Sequence, residues 1–250
     1  MKRAVGRQLA AAVLLAVSGC STGSTGDGAN AARVLAATSL AAAFGDIHDV
    51  SPETSSLSFA GSQALVAQVE QRAPGDVIAT ADTATMDRLS EAGRLASTPQ
   101  IFAANRLAIV VAEGNPRRIT GLADLARPGL IVVLAAPAVP AGRYAGQVLA
   151  RARVHVRPSS LEENVGAVVT RVALGEADAG LVYVTDVANR RDVSRVDIPK
   201  AQNIVALYPI ALLRDASHRE AGRRFIGVVL SARGQQILHD HSFLPPPGRP

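Results

Sequence analysis

From Arg33 onward, short apolar runs alternate with stretches whose apolar residues return at helical spacing, and few folds can absorb that pattern. A short run of Val, Ile, Leu and Ala is the signature of a buried strand, whereas apolar residues at i, i+3, i+4 and i+7 line one face of a helix. Val34–Ala37 reads as a strand, and Leu40, Phe44 and Ile47 mark the helix after it. Leu57–Ala60 and Asp76–Ala79 read as strands, followed by helices over Ser62–Gln71 and Thr83–Glu91. Arg106–Ala112 and Leu130–Ala135 are longer apolar runs, and Ala141–Ala152 and Asn164–Leu174 are helical, the latter with Val165, Val168, Val169 and Val172 on one face. Ala179–Val184 and Ala206–Leu213 complete the strands, residues 190–195 read as a polar loop, and Ser217-x-x-Glu220 reads as a capping box before the C-terminal helices. Strands that alternate with helices imply sheets covered on both faces, so the fold class predicted is α/β. Two groups of such units, joined by the strands near 105–112 and 205–213, predict two lobes.

Composition narrows the partners. Hydrophobic residues make up 48 % of the 250 and aromatics 3 %, with no Trp, so the core is built from Ala, Val, Leu and Ile. The formal charge is +5, but Lys2, Arg3 and Arg7 contribute three of the 26 basic residues, and the remainder nearly balance the 21 acidic ones. A body so close to neutral is a poor match for nucleic acid.

The N-terminus has its own logic. A charged start, MKRAVGRQ, precedes the apolar run from Leu9 to Gly19, which is too short to span a bilayer and suits a signal peptide. The run ends in Val17-Ser18-Gly19-Cys20, which resembles the bacterial lipobox. The expectation is cleavage after residue 19 and lipid on Cys20, the only cysteine in the chain. A plain signal peptide with a chance cysteine is the alternative. Residues 20–32 then read as a flexible polar tether.

The strand-to-helix junctions carry the chemistry. In α/β sheets ligands gather beyond the carboxyl ends of strands, where helices begin. Four junctions stand out: Thr38-Ser39, Gly61-Ser62, Val139-Pro140-Ala141-Gly142 and Glu163-Asn164-Val165. Each helix start leaves N–H groups without intrahelical partners and carries partial positive charge. Converging starts would hold an anion without Arg or Lys. The bland alternative is that Ser39 and Ser62 are helix caps, Pro140 an ordinary first-turn proline, Val165 core and Tyr183 a half-buried strand residue.

The segments AATSLAAAF (36–44), SFAGSQALVAQVEQRAPGDVIATAD (58–82), FAANRLAIVV (102–111), VPAGRYA (139–145), EADAGLVYVTDV (176–187) and ARGQQIL (232–238) together resemble the periplasmic molybdate-binding proteins of ABC importers. The resemblance implies a type II periplasmic-binding-protein-like fold, with residues 33–104 and 206–250 in one lobe and 105–205 in the other. It implies one tetrahedral oxyanion, molybdate or tungstate, in the cleft between them. The implied ligands are Ser39 and Ser62 from one lobe and Ala141, Val165 and Tyr183 from the other. It also implies a monomer that takes no cofactor and delivers its anion to a membrane permease and ATPase, tethered outside the cell membrane through its N-terminal lipid. Gln63, after Ser62, stands where the family more often has a small residue.

Other functions fit less well. No G-x-S-x-G elbow or H-E-x-x-H is present, so no enzyme is expected. His239 and His241 sit near the C-terminal tail and read as solvated rather than metal-binding. A binding protein of the same fold for sulfate, phosphate or an organic anion is the alternative, and a surface receptor without transport is a further one.

Overall fold

The computed structural model describes residues 31–51 and 55–248. The signal segment and Cys20 therefore lie outside the described residues. The chain enters through β1 (Ala32–Ala37), a single 3-10 turn (Thr38–Leu40) and α1 (Ala41–Val50), then β2 (Ser55–Ala60), α2 (Ser62–Glu70), β3 (Val77–Ala79), α3 (Thr83–Glu91) and β4 (Gln100–Asn105). It continues through β5 (Leu107–Ala112), β6 (Val132–Ala135), α4 (Pro140–Ala152), β7 (Ser160–Glu162), α5 (Val165–Ala173), β8 (Ala179–Tyr183), α6 (Val184–Val187) and β9 (Val193–Asp197). It ends with β10 (Ala206–Leu212), α7 (Arg219–Leu230) and α8 (Ala232–Asp240).

Two five-stranded sheets result, ordered β2-β1-β3-β10-β4 and β7-β6-β8-β5-β9. Both are mixed. In the first, β1 pairs in parallel with β2 and β3, while β10 runs antiparallel to β3 and β4. In the second, β6 pairs in parallel with β7 and β8, while β5 runs antiparallel to β8 and β9. The chain passes from one sheet to the other between β4 and β5 and returns ahead of β10. A buried asparagine stands at each passage. Asn203 receives the Leu107 N–H at 3.1 Å and donates to the Leu107 carbonyl at 2.8 Å, which ties the return path to the start of β5.

Eight aromatic residues serve 250, and several of them stack in series. Phe44 packs on Phe225 and Phe102, with ring centroids 5.4 and 5.7 Å apart. Phe102 then meets Tyr208 edge-on at 6.4 Å, and Tyr208 meets Tyr183 at 5.7 Å. This series links the core of the first sheet to the last residue of β8 in the second.

Three local expectations are corrected. Residues 193–195 are not loop but the start of β9, a sheet-edge strand whose alternating burial is set by pairing with β5. The Ser217-x-x-Glu220 capping box does not form: α7 begins after His218, without a side-chain cap. His218 instead turns to Asp76, giving its backbone N–H at 2.8 Å and placing Nδ1 3.0 Å from the carboxylate. Burial alone would raise the Asp76 pKa, but N–H donation from Arg33 and His218, with the His218 ring beside it, brings it below the ordinary value. Finally, His241 is not simply solvated, since its Nε2 lies 2.7 Å from Asp46. His239 is exposed as expected. Among the described residues no group of three or more His, Cys, Asp or Glu could hold a metal ion.

Candidate functional site

All four junctions singled out in the sequence open onto one small cavity between the two sheets, together with Ala81 and Tyr183. Its volume is about 10 Å³, the scale of a single water molecule. Ser39, Ser62, Ala141, Val165 and Tyr183 are all on its wall. Among the described residues, no Lys, Arg, Asp, Glu or His lines it.

The backbone supplies donors by plain helix geometry. In α2 the first bonds to the carbonyl of Gly61 come from Ala64 and Leu65, so the N–H groups of Ser62 and Gln63 precede them. In α4 the first comes from Arg143 to Val139, after Ala141 and Gly142. In α5 the Asn164 side chain caps the helix through the Ala167 N–H at 2.9 Å, ahead of which stand Val165 and Gly166. Such N–H groups at a helix start are electropositive and unpaired by the helix itself.

The two serines are not caps. Neither side chain makes a capping hydrogen bond: the 3-10 turn begins after Ala37 and α2 after Gly61. Ser62 Oγ accepts the Ala81 N–H at 3.1 Å. Ser39 Oγ lies 3.0 Å from the Tyr208 hydroxyl. Tyr183 reaches the carbonyl of Ala81 only at 3.5 Å, the outer limit of a hydrogen bond, so its hydroxyl is only weakly engaged there. Burial pushes the pKa values of Tyr183 and Tyr208 well above 10, so both phenols keep their protons and can donate.

Contacts between the two halves surround the cavity. Arg143, on the first turn of α4, gives Nε at 3.0 Å and Nη2 to Asp82 Oδ2, and Nη2 also reaches Thr85 Oγ1 at 2.9 Å. Asp82 is 2 % exposed and caps α3 through the Thr85 N–H. Gln63 Nε2 donates to the Glu163 carbonyl at 2.7 Å. The residues that sequence reasoning missed are Ala81, Tyr208, Asn105, Asp82 and Arg143. Their types carried no signal; only the fold sets them beside the expected five.

Asp186 lies behind this wall and accepts the Tyr183 N–H at 2.9 Å. Burial pushes its carboxyl up to about 7, against the lowering effect of that N–H. Unfolded aspartate titrates near ~3.9. Between these values the folded chain holds the extra proton, so this group's contribution is fully present below pH ~4 and is lost as pH rises through about 7. Asp186→Asn keeps an acceptor for Tyr183 and removes the charge. Because the residue keeps a partly exposed edge, the expected gain at pH 8 is on the order of 2 kcal/mol, with none at pH 4. Melting temperatures of both forms across that range check it.

The model of the bacterial extracellular solute-binding protein family matches residues 29–244. The molybdate-binding protein ModA of Mycobacterium tuberculosis is 41 % identical over 225 residues, covering 88 % of this chain and 86 % of that protein. ModA of Escherichia coli is 28 % identical over 197 residues, 74 % of this chain and 76 % of that one. Among solved structures, the periplasmic molybdate-binding protein of Azotobacter vinelandii superposes with a TM-score of 0.74 at 18 % identity, over 86 % of this chain and 99 % of that one. The sulfate-binding protein SubI of M. tuberculosis gives 0.73 at 18 % identity, over 86 % and 87 %.

Proposed function

This chain belongs to the bacterial extracellular solute-binding proteins and is kin to their molybdate-binding members, and from that premise we propose that it captures molybdate, and tungstate with it, outside the cytoplasm for delivery to an ABC-importer permease and ATPase. The observation that supports this best is a cavity walled by helix starts and hydroxyls, with no charged side chain on it among the described residues. We assign the oxyanion to the hydroxyls of Ser39, Ser62 and Tyr183 and the N–H groups of Ala141 and Val165. The two lobes hinge where the chain crosses between sheets, at Asn105–Arg106 and ahead of Ala206. The open form receives the anion on Ser39 and Ser62, and closure brings up α4, α5 and Tyr183. Such a shift requires that the anion bind the closed form more tightly, and the donors contributed by the second lobe supply that difference. The protein is a carrier rather than an enzyme, acts as a monomer without a cofactor, and is held at the outer face of the membrane by lipid on Cys20 after removal of residues 1–19.

Calorimetric titration of residues 21–250 with molybdate, tungstate, sulfate and phosphate tests this. Micromolar or tighter binding of the first two alone is expected. Preferential sulfate or phosphate binding would keep the fold and replace the ligand. Tyr183→Phe should weaken molybdate by about 1–3 kcal/mol, the worth of one hydrogen bond to a charged group. An unchanged affinity would remove Tyr183 from the site.

A further inference from the structure

We propose that Tyr208 and Asn105, neither of which lines the cavity, are positioning residues that fix Ser39 as a donor toward the anion and thereby exclude oxyanions that carry a proton. The inference rests on the oxyanion function given above. It begins at a backbone N–H, which can only donate. The Arg106 N–H goes to Asn105 Oδ1 at 2.9 Å. That fixes the amide orientation and commits Nδ2 as a donor. Nδ2 points at Thr185 Oγ1, 2.9 Å away, and at the Tyr208 hydroxyl, 3.4 Å away. A phenol oxygen that receives an N–H turns its own proton to its other neighbour. For Tyr208 that neighbour is Ser39 Oγ at 3.0 Å. Ser39, having accepted, must aim its O–H elsewhere, and the cavity is what it faces. Tyr208 cannot supply a phenolate instead, since its burial keeps the proton on.

Ser62 reaches the same state by a shorter route, because the Ala81 N–H occupies its oxygen directly. Both serines thus present protons inward, each by way of a backbone N–H whose direction is fixed. The five groups assigned to the anion then offer donors only. A fully deprotonated tetrahedral dianion satisfies every donor. Monohydrogen phosphate of the same charge must set its own O–H against a donor and finds no acceptor. Asn105 also spans the crossing, holding Thr185 of α6 on one side and Tyr208 of β10 on the other. The orientation of Ser39 is therefore tied to how the two lobes meet.

The test uses Tyr208→Phe, which keeps the ring that packs on Phe102, Tyr183 and Phe243 and removes only the hydroxyl. Molybdate and phosphate affinities are measured for the unaltered chain, Tyr208→Phe, Ser39→Ala and the double variant, with melting temperatures alongside. Tyr208→Phe is expected to weaken molybdate about tenfold. It should also narrow the preference for molybdate over phosphate, because Ser39 is then able to accept. In the Ser39→Ala background the same change should have no further effect on affinity. An equal loss in both backgrounds, or an unmoved preference, would show that Tyr208 acts through packing and overturn the inference while leaving the oxyanion function standing. If Tyr208→Phe does not fold, Asn105→Ala is read by the same cycle against Ser39→Ala. Failure of the unaltered chain to bind any of the anions would overturn the oxyanion function and this inference with it.

Discussion

Valine at position 142 is expected to abolish anion binding and to lower the melting temperature by roughly 10 °C or more. Gly142 is the third residue of α4, and a Cβ there would stand 2.2 Å from the carbonyl oxygen of Ala136 and 2.3 Å from that of Ala135. Both obstacles are backbone at the exit of β6, so neither can rotate away. The helix start must shift, and it carries Ala141, whose N–H we assign to the anion. Overpacking against fixed backbone falls at the severe end of single substitutions, about 4 kcal/mol or more. Gly146 supplies the control one turn further along, where an added Cβ meets nothing within 4 Å. Gly146→Ala should leave binding unchanged and raise stability by about 0.5–1 kcal/mol, since alanine suits a helix interior better than glycine. Parallel thermal melts and molybdate titrations of the two variants separate close packing at 142 from any general demand for glycine in α4. Normal binding by Gly142→Val would refute the assignment of this helix start.

The second large effect is expected from Arg143→Ala, as a loss of affinity without loss of fold. Arg143 and Asp82 come from opposite sides of the cavity and, on the proposed closure, meet only when the lobes are together. Removing one partner of a buried ion pair costs about 3–5 kcal/mol, because the other charge is left unpaired. On the proposed opening of the lobes, that penalty falls on the closed form alone, since parting them would rehydrate Asp82. Asp82 also follows Ala81 on the cavity wall, so its bare carboxylate would repel a dianion. Arg143 is itself about one-third exposed, which moderates the cost, and a hundredfold or greater weakening of molybdate corresponds to about 3 kcal/mol. The melting temperature of the anion-free chain should move much less than the affinity. Asp82→Asn combined with Arg143→Ala should recover most of the loss, because the neutral amide needs no counter-charge and still accepts the Thr85 N–H. Calorimetry gives the affinities, and small-angle scattering with and without molybdate gives the degree of closure. Undiminished affinity in Arg143→Ala would mean that the pair contributes nothing to closure.

The strand and helix pattern was largely legible because burial is periodic. The helix over α5 announced itself through four valines on one face, and β5 and β8 through unbroken apolar runs. What periodicity left unread was β4, β7 and β9; β7 and β9 are short or alternate in burial, and all three are strands by pairing with neighbours distant in sequence. The same contrast holds for His241 and His218, whose rings were drawn to Asp46 and Asp76 by contacts distant in sequence.

At the site, the sequence by itself determined which groups could offer donors. A glycine or proline at a strand exit, a small hydroxyl beside it and helical spacing at once afterwards leave bare N–H groups at a tip, and that follows from helix geometry alone. That reasoning singled out the tips at Thr38-Ser39, Gly61-Ser62, Val139-Pro140-Ala141-Gly142 and Glu163-Asn164-Val165 before any fold was known, and the resemblance assigned Ser39, Ser62, Ala141, Val165 and Tyr183 as the ligands. Only the tertiary structure decided that these tips face one another across a single cavity. It alone set a backbone N–H on Ser62, the Tyr208 hydroxyl on Ser39 and Arg143 on Asp82. Local sequence fixes what a helix start can donate, because its unpaired N–H groups depend on the next few residues. Which way a hydroxyl proton points depends on the oxygen or nitrogen beside it, and in this chain that neighbour comes from 19 residues away for Ser62 and 169 for Ser39.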